Sequence, residues 1–258
     1  MVAMDFDWTL VDYPGGRAHV PQETQQALAR LASQGLELGI ATGRPWPEVR
    51  SLMDQAGVPW GQPFPTFLIA REMYIYWLRN GELQGEEGWN KARQRDMDQF
   101  GRAMAARAHQ WFHLLDRHGL RPYSWFLSSE FGFEAYFNTD QEAAQACHLL
   151  QAALEGVPHA RLQRNRRLAH VTLASTSKGR SLLEVCRIKG IQPHQVLAIG
   201  DSLNDLDMLD GTWGFQCGAV GNADPALKEA VARAGGVVVE GAAGLGVVQV
   251  LRAFMGSF

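Results

Sequence analysis

The sequence is poor in cysteine and lysine, which narrows the kinds of site that it can form. Its only cysteines are Cys147, Cys186 and Cys217, and its only lysines are Lys91, Lys178, Lys189 and Lys228. The cysteines lie far apart and form no C-x-x-C pair, so we expect neither a disulfide framework nor a zinc site, and a reducing compartment is favoured. Because arginine carries most of the positive charge, each lysine can be considered individually as a functional candidate.

The sequence also lacks any long apolar run and any strong excess of charge. No stretch approaches the roughly 20 apolar residues that a membrane span needs, and residues 1–7 are too short and too acidic for a signal peptide. The formal net charge is −3, which indicates no polyanionic partner. We therefore expect a soluble cytoplasmic protein that binds neither nucleic acid nor membranes. The sequence carries no indication of its oligomeric state.

The alternation of apolar runs and helical patterns divides the 258 residues into three parts. Residues 1–80 alternate short apolar runs with amphipathic segments, as in a parallel α/β sheet, and the same rhythm returns at residues 173–258. Residues 81–172 instead follow the order helix, two strands, helix, two strands, and the first of these helices is predicted over residues 91–117. We therefore predict an α/β fold, in which a parallel-sheet core formed by residues 1–80 and 173–258 carries an inserted α+β cap at residues 81–172.

Polar side chains follow the predicted strands of this core. The first strand ends in Asp5-Phe6-Asp7-Trp8-Thr9, the second in Thr42-Gly43-Arg44, and a later one in Gly200-Asp201-Ser202-Leu203-Asn204-Asp205. Lys178 opens the helix that follows the insert, next to Ser177 as a helix cap. Since ligands of open parallel sheets bind beyond the carboxyl ends of the strands, we expect these groups to converge on one pocket.

The expected pocket is rich in carboxylates, which would not all stay ionised without a cation. A hard, oxygen-preferring ion such as Mg²⁺ is the natural partner. Asp201 is a candidate metal ligand. Asn204 and Asp205 follow one helical turn later, where they can bind or orient the groups around the ion.

The other polar residues of the pocket match the needs of phosphoryl transfer. Asp5 and Asp7 stand two residues apart at a strand end, so one can attack phosphorus while the other transfers protons. Thr42 can donate to a phosphoryl oxygen, and Lys178 can neutralise charge on the nucleophile and on the transferring group.

These segments resemble the four motifs of the haloacid dehalogenase superfamily. Asp5-Phe6-Asp7-Trp8-Thr9-Leu10 is similar to the first motif, D-x-D-x-T-L. Thr42 matches the second motif, Lys178 the third, and residues 200–205 the fourth, G-D-x-x-N-D. The order and spacing agree across nearly the whole chain.

The resemblance implies a Rossmann-like core and a Mg²⁺-dependent phosphomonoester hydrolase that works through an aspartyl phosphate. Asp5 would be the nucleophile and Asp7 the acid/base, with Thr42 and Lys178 completing the catalytic set. The implied metal ligands are Asp5, Asp7 through its backbone carbonyl, Asp201 and Asp205. The implied phosphate or substrate contacts are Thr42, Gly43, Arg44, Lys178, Asn204 and Asn222.

The insert lies between the second and third motifs, and its predicted order αββαββ is similar to the Cof-like branch in its smaller-cap form. Sucrose-phosphate phosphatases, mannosyl-phosphoglycerate phosphatases and phosphomannomutases share that arrangement, which implies a sugar phosphate as the substrate. Two positions depart from the pattern of the branch. Trp8 stands where glycine is usual, and Ala70-Arg71-Glu72 stands where an Asn-Gly-Ala turn is frequent.

Three functions stay open from the sequence, and a phosphatase is the first of them. The second is a phosphomutase of the phosphomannomutase type with the same intermediate, and the third is a non-catalytic sugar-phosphate binder. Asp7 and Lys178 argue against the binder, because binding alone needs no proton-transfer group.

Several charged residues have a less specific interpretation. The arginines Arg164, Arg166 and Arg167 lie in a predicted cap hairpin, where they either form a solvated turn or contact the substrate. Asp207 and Asp210 are assigned to a solvated helix face.

Overall fold

The structure is a computed structural model, and it describes residues 1–61, 64–79, 81–128, 132–154, 157 and 160–256. The chain forms two compact units, of which the first comprises Met1–Glu87 with Ser177–Phe258 and the second Gly88–Thr176. Within the described ranges, no helix combines the length and the apolar content that crossing a membrane requires.

Strands and helices are numbered here in chain order. The strands are β1 (Val2–Met4), β2 (Leu38–Ala41), β3 (Phe67–Ala70), β4 (Tyr74–Arg79), β5 (Glu82–Gly85), β6 (Ser124–Ser128), β7 (Gly132–Tyr136), β8 (Ala160–Asn165), β9 (Leu168–Leu173), β10 (Leu197–Gly200), β11 (Gln216–Ala219) and β12 (Val237–Val238). The α-helices are α1 (Gln22–Ser33), α2 (Trp46–Gln55), α3 (Glu87–Ala105), α4 (Ala108–Arg117), α5 (Asp140–Ala153), α6 (Lys178–Lys189), α7 (Leu206–Leu209), α8 (Pro225–Arg233) and α9 (Ala243–Met255).

The first unit is built on an eight-stranded sheet with the order β12-β11-β10-β1-β2-β3-β4-β5. The strands from β12 to β3 pair in parallel, and β4 and β5 are added antiparallel at one edge. The central strand β1 is fully buried, as its unbroken apolar sequence predicts for a parallel sheet covered on both faces. The predicted α/β core with a parallel sheet is confirmed.

Both boundaries of the insert lie later in the chain than the predicted residues 81 and 172, because the second unit runs from Gly88 to Thr176. The sequence placed the start of the insert at residue 81, next to residue 80, which lies outside the described residues. Strand β5 pairs with β4 through register contacts that include Leu78 with Leu83, so it belongs to the first unit. The second unit therefore begins at Gly88.

The second unit has a four-stranded antiparallel sheet with the order β6-β7-β9-β8, together with α3, α4 and α5. Phe133 and Ala135 on β7 and Val171 on β9 are fully buried. Trp111 of α4 meets Phe133 edge-on, with 5.6 Å between the ring centroids. This unit supplies its own apolar core.

The sequence predicted one helix over residues 91–117, and this is wrong because the chain is interrupted between α3 and α4. The buried positions keep a spacing of three or four residues across the interruption, so periodicity alone cannot reveal it. Those positions are Met97, Phe100, Met104, Ala108, Trp111 and Leu115. The insert therefore begins with two helices, and the rest of the predicted order, ββαββ, is found.

Candidate active site

The register of three neighbouring parallel strands brings the first, second and fourth motifs to one edge of the sheet. Met4 at the end of β1 pairs with Ile40 of β2 and with Ile199 of β10. The residue after Met4 is Asp5, whose backbone N–H donates to the Ile199 carbonyl at 2.8 Å. Residues that are almost 200 positions apart in the chain thus become neighbours, as the rule for parallel sheets predicts.

Three buried carboxylates and one buried ammonium form the centre of this edge. Asp5, Asp201 and Asp205 offer ligand oxygens that all lie within 4.8 Å of one another. Lys178 is fully buried, and its Nζ lies 2.5 Å from Oδ1 of Asp5 and 2.6 Å from Oδ1 of Asp205. Ser177 caps α6 by accepting from the Arg180 N–H, and so fixes the start of the helix that carries Lys178.

The pKa values of both Asp5 and Lys178 are raised, but by different balances of burial and neighbouring charge. Burial raises the pKa of Asp5 well above its ordinary value, and the charges of Asp205 and Asp201 add to the increase against the opposing effect of Lys178. For Lys178, burial lowers the pKa, but the charges of Asp205, Asp5 and Glu72 outweigh it and raise the pKa. The lysine therefore stays protonated, and the carboxylates still outnumber it.

The donor set fits a hard divalent cation. Carboxylate oxygens are the ligands that Mg²⁺ prefers, and an added cation would oppose both the burial and the charges of Asp205 and Asp201 that together raise the pKa of Asp5. Asp201 is held in place by Thr9, whose buried hydroxyl donates to Oδ1 at 3.2 Å. Asp5, Asp201 and Asp205 are thus suitable residues to hold a metal ion.

The loop of the fourth motif is shaped around the Asp205 side chain. Its Oδ2 accepts from the backbone N–H groups of Asp201 and Ser202, both at 3.0 Å, while Oδ1 faces Lys178. A Cβ atom on Gly200 would lie only 2.5 Å from the same Oδ2. The glycine of the motif is therefore required by the close approach of the Asp205 carboxylate to the backbone.

The Asp7 side chain is bound by two residues outside the acidic cluster, Arg44 and Tyr13. Arg44 donates to both carboxylate oxygens of Asp7, from Nε at 2.7 Å and from Nη2 at 2.9 Å. The Tyr13 hydroxyl donates to Oδ1 of Asp7, and Arg44 Nη1 donates to Glu48 at 3.1 Å. Burial and the neighbouring Asp7 charge raise the pKa of Tyr13, so the hydroxyl keeps its proton as a donor.

The predicted phosphate contacts of the second motif lie in the turn after β2. The Thr42 side chain is buried, and its Oγ1 accepts from the Arg44 N–H at 3.1 Å. Gly43 lies next to Glu72, since a Cβ atom built on Gly43 would be 3.8 Å from Glu72 Oε1. The two residues therefore follow the strand that pairs with β1, and their contacts with phosphate stay predictions.

The two predicted asparagines make protein contacts. Asn204 donates to Oε1 of Glu72 at 3.0 Å and accepts from the Ser202 hydroxyl at 2.6 Å. Asn222 donates to the Trp8 carbonyl at 2.7 Å and accepts from the Ala243 N–H at 2.7 Å. Asn222 thus links the first motif to the start of α9, and its predicted substrate contact stays a prediction.

Three residues of the site were not singled out from the sequence. Thr9 lies inside the first motif, which was the available signal. Tyr13 lies outside every motif, and Glu72 was noted only within the segment that departs from the frequent Asn-Gly-Ala turn. Tyr13 reaches the site through a hydrogen bond to Asp7, and Glu72 through one from Asn204. Trp8, at the usual glycine position, has φ of 62° and packs edge-on against Tyr13 with 5.4 Å between the centroids.

The less specific assignments of charged residues have different outcomes. Asp207 does not lie on a solvated face, because its carboxylate accepts from the Gly179 N–H at 3.2 Å at the start of α6, so that assignment is wrong. Asp210 is exposed, as expected. Arg166 and Arg167 are exposed turn residues between β8 and β9, and Arg164 donates to the Arg166 carbonyl at 3.2 Å.

The chain thus combines a parallel α/β core, which carries a buried cluster of aspartates at one sheet edge, with an inserted α+β unit. Residues 2–74 and 133–250 match the family described as haloacid dehalogenase-like hydrolase. The chain therefore belongs to that family, and the predicted membership in its Cof-like branch is confirmed.

Two curated relatives are similar to part of the chain. A phosphoglycolate phosphatase of Methanothermobacter thermautotrophicus is 42% identical over 87 residues, which is 34% of this chain and 37% of the relative. A phosphoglycolate phosphatase of Pyrobaculum aerophilum is 43% identical over 77 residues, which is 30% of this chain and 31% of the relative. The aligned segments thus span about a third of the length of these relatives.

A solved structure is similar over nearly the whole chain. The sucrose-phosphatase of Synechocystis sp. PCC6803, in complex with sucrose and phosphate, has a TM-score of 0.70 at 16% sequence identity and covers 98% of this chain and 96% of its own. The likeness confirms the predicted fold with its Rossmann-like core.

Proposed function

We propose that this protein is a Mg²⁺-dependent phosphatase that removes phosphate from a small metabolite through a phosphorylated Asp5. The observation that carries the proposal is the fully buried Lys178 ammonium between Asp5 and Asp205, next to Asp201. Burying these charges is costly and is a weak source of stability. A chemical task explains the arrangement better, because a phosphoryl group needs a nucleophile with positive charge around it.

The reaction has two steps. In the first, the Asp5 carboxylate attacks phosphorus, the ester P–O bond breaks, and Asp7 gives a proton to the departing alkoxide. In the second, Asp7 takes a proton from water as the water oxygen attacks phosphorus, the Asp5–phosphorus bond breaks, and the free carboxylate and inorganic phosphate are released. Lys178 stays protonated throughout and neutralises charge on Asp5 and on the transferring group.

Mg²⁺, held by Asp5, Asp201 and the backbone carbonyl of Asp7, with Asp205 positioned next to them, would supply positive charge to the phosphoryl oxygens. The chain itself provides the orientation. Thr9 fixes Asp201, and the backbone N–H groups of Asp201 and Ser202 fix Asp205. The buried Thr42 hydroxyl, at the neighbouring strand end, would donate to a phosphoryl oxygen.

The substrate is proposed to be a small phosphomonoester, with a sugar phosphate as the first candidate. The Cof-like branch and the sucrose-phosphatase structure support a sugar phosphate. The partial similarity to phosphoglycolate phosphatases supports phosphoglycolate as the second candidate to assay.

A phosphate-release screen tests the proposed function. Sugar phosphates, phosphoglycolate, phosphoglycerate derivatives and nucleotides are incubated with the protein in Mg²⁺ or in EDTA. We expect release from at least one small phosphomonoester, and loss of that release in EDTA. Conversion of a hexose 1-phosphate to the 6-phosphate without free phosphate would instead establish the phosphomutase, and no reaction with any compound would contradict the proposal.

Tyr13→Phe removes the hydroxyl that donates to Asp7 but leaves the two bonds from Arg44. We expect kcat to fall by about tenfold with little change in KM, because one hydrogen bond to a charged group is lost at the proton-transfer residue. Steady-state kinetics check this. Tyr123→Phe is the matched control, since Tyr123 is 61% exposed in the second unit. Equal kcat values for the two variants would show that Tyr13 does not position Asp7.

A further inference from the structure

We infer that Glu72, in the turn between β3 and β4, is a positioning residue that ties the second, third and fourth motifs together and strengthens cation binding. The motifs do not contain this residue. Its effect on turnover rests on the proposed function, whereas its effect on cation binding does not.

Glu72 contacts all three motif segments and is 8% exposed. Its backbone N–H donates to the Thr42 carbonyl at 2.8 Å, in the second motif. Its backbone carbonyl accepts from the Ser181 hydroxyl at 2.8 Å, in the first turn of the helix that begins with Lys178. Its side-chain Oε1 accepts from Asn204 of the fourth motif at 3.0 Å. One residue thus connects three segments of the chain, two of which, at Ser181 and Asn204, lie 109 and 132 positions away from it.

The Asn204 contact continues towards the proposed metal ligands. Asn204 accepts from the Ser202 hydroxyl, and the Ser202 N–H donates to Asp205. The Glu72 carboxylate therefore stands at the start of a chain of hydrogen bonds that ends in the acidic cluster. Partners of this kind orient the groups that hold a metal ion.

The backbone at Glu72 is held in a conformation that side chains disfavour. Its φ is 60°, in the left-handed region, and the preceding Arg71 has φ of 56°. Glycine is the usual residue for this conformation. Strained residues of this kind persist where the surrounding structure fixes them, and they cluster at functional sites. A functional role of the carboxylate would explain why a glutamate, and not a glycine, occupies this position.

Besides accepting a hydrogen bond from Asn204, Glu72 contributes a negative charge that affects cation binding. Glu72 adds a buried carboxylate whose negative charge acts on Lys178, the residue that contacts both Asp5 and Asp205. A further negative charge close to Lys178 offsets part of the positive charge of that lysine and so favours a divalent cation in the cluster. Removing this charge should weaken cation binding even where the hydrogen bond to Asn204 is kept.

Two variants of the 258-residue chain separate the effect of the Glu72 charge from that of its hydrogen bond with Asn204. Glu72→Gln keeps an oxygen that accepts from Asn204 but removes the charge, and Glu72→Gly removes both while suiting the left-handed backbone. Arg71→Gly is the control, because it relaxes the neighbouring left-handed residue and keeps the carboxylate. Mg²⁺ and Mn²⁺ affinities are measured from the rise in the thermal midpoint with cation concentration, and kcat and KM are measured on the substrate found in the screen.

We expect both Glu72 variants to bind the cation roughly 10-fold more weakly than the wild type. We expect kcat to fall by about 10- to 100-fold in Glu72→Gly and clearly less in Glu72→Gln, and Arg71→Gly to keep the wild-type cation affinity. Wild-type cation affinity in Glu72→Gly would overturn the inference, as would wild-type kcat in that variant. If the wild type releases no phosphate from any compound, the proposed function fails, and the cation titration still decides the role of Glu72.

Discussion

Asp5→Asn should reduce phosphate release by roughly 10⁴-fold or more while the protein stays folded, because an amide oxygen cannot replace a carboxylate as the nucleophile. Among the residues that the structure describes, the only other carboxylate in hydrogen-bond contact with Lys178 is Asp205, whose second oxygen is held by two backbone N–H groups. Measurement of kcat on the best substrate of the screen checks this expectation. Turnover within tenfold of the wild type would remove Asp5 from the role of nucleophile.

The same variant should not lose stability in the absence of divalent cations. Since burial and the charges of Asp205 and Asp201 raise the pKa of Asp5, its ionised form is unfavourable in the folded protein, and a neutral amide relieves that repulsion. We expect the thermal midpoint of Asp5→Asn in EDTA to equal or exceed that of the wild type, and its increase on addition of Mg²⁺ to be smaller. Asp116→Asn, at an exposed ion pair with Arg121, is the control.

Lys178→Met should cause the largest loss of stability of any single change at the site. Methionine fills the space of the aliphatic part of the lysine side chain but leaves Asp5 and Asp205 buried without the Lys178 ammonium group. We expect the free energy of unfolding to fall by about 3–5 kcal/mol, the cost of removing one partner of a buried ion pair, and turnover to be abolished. Urea unfolding in EDTA, followed by circular dichroism, measures the loss.

The pH dependence of this variant follows from the direction of the Asp5 shift. A carboxyl group whose folded-state pKa is raised contributes stability at low pH that is lost as the pH rises through that pKa. Because the pKa of Asp5 is raised even with Lys178 present, the deficit of Lys178→Met should grow with rising pH and shrink on acidification. Lys91→Met, at an exposed helix position, should stay close to the wild type. A Lys178→Met protein as stable as this control would contradict the electrostatic account of the cluster.

The central residues of the site could be predicted from the sequence because the ends of buried strands can be recognised in it. A short apolar run that stops at Asp5 and another that stops at Gly200 give both the strands and the polar residues after them. Parallel pairing then brings Asp5 and Asp201 to the same edge, and the scarcity of lysine drew attention to Lys178. These predictions depend on local patterns and on one general rule of sheet topology.

The residues that surround the centre of the site could not be predicted in the same way. Arg44 donates two hydrogen bonds to Asp7, and the Tyr13 hydroxyl donates a third. These contacts depend on the side-chain conformations after the strand ends, which sequence periodicity does not predict. Glu72 adopts a left-handed backbone that glycine favours, so its residue type gives no indication of the conformation of its turn. The interruption between α3 and α4 was missed because the apolar spacing continues across it.

Chemical trapping of the proposed intermediate tests the central claim most directly. The protein is mixed with substrate and Mg²⁺, quenched during turnover with borohydride, digested, and analysed by mass spectrometry. Reduction of an acyl phosphate converts the aspartate that carries it into homoserine. Homoserine at position 5, absent when substrate is omitted and absent in Asp5→Asn, is the result that we expect. Homoserine at Asp7, Asp201 or Asp205 instead, or none at any aspartate while phosphate is released, would contradict the assignment of Asp5 as the nucleophile.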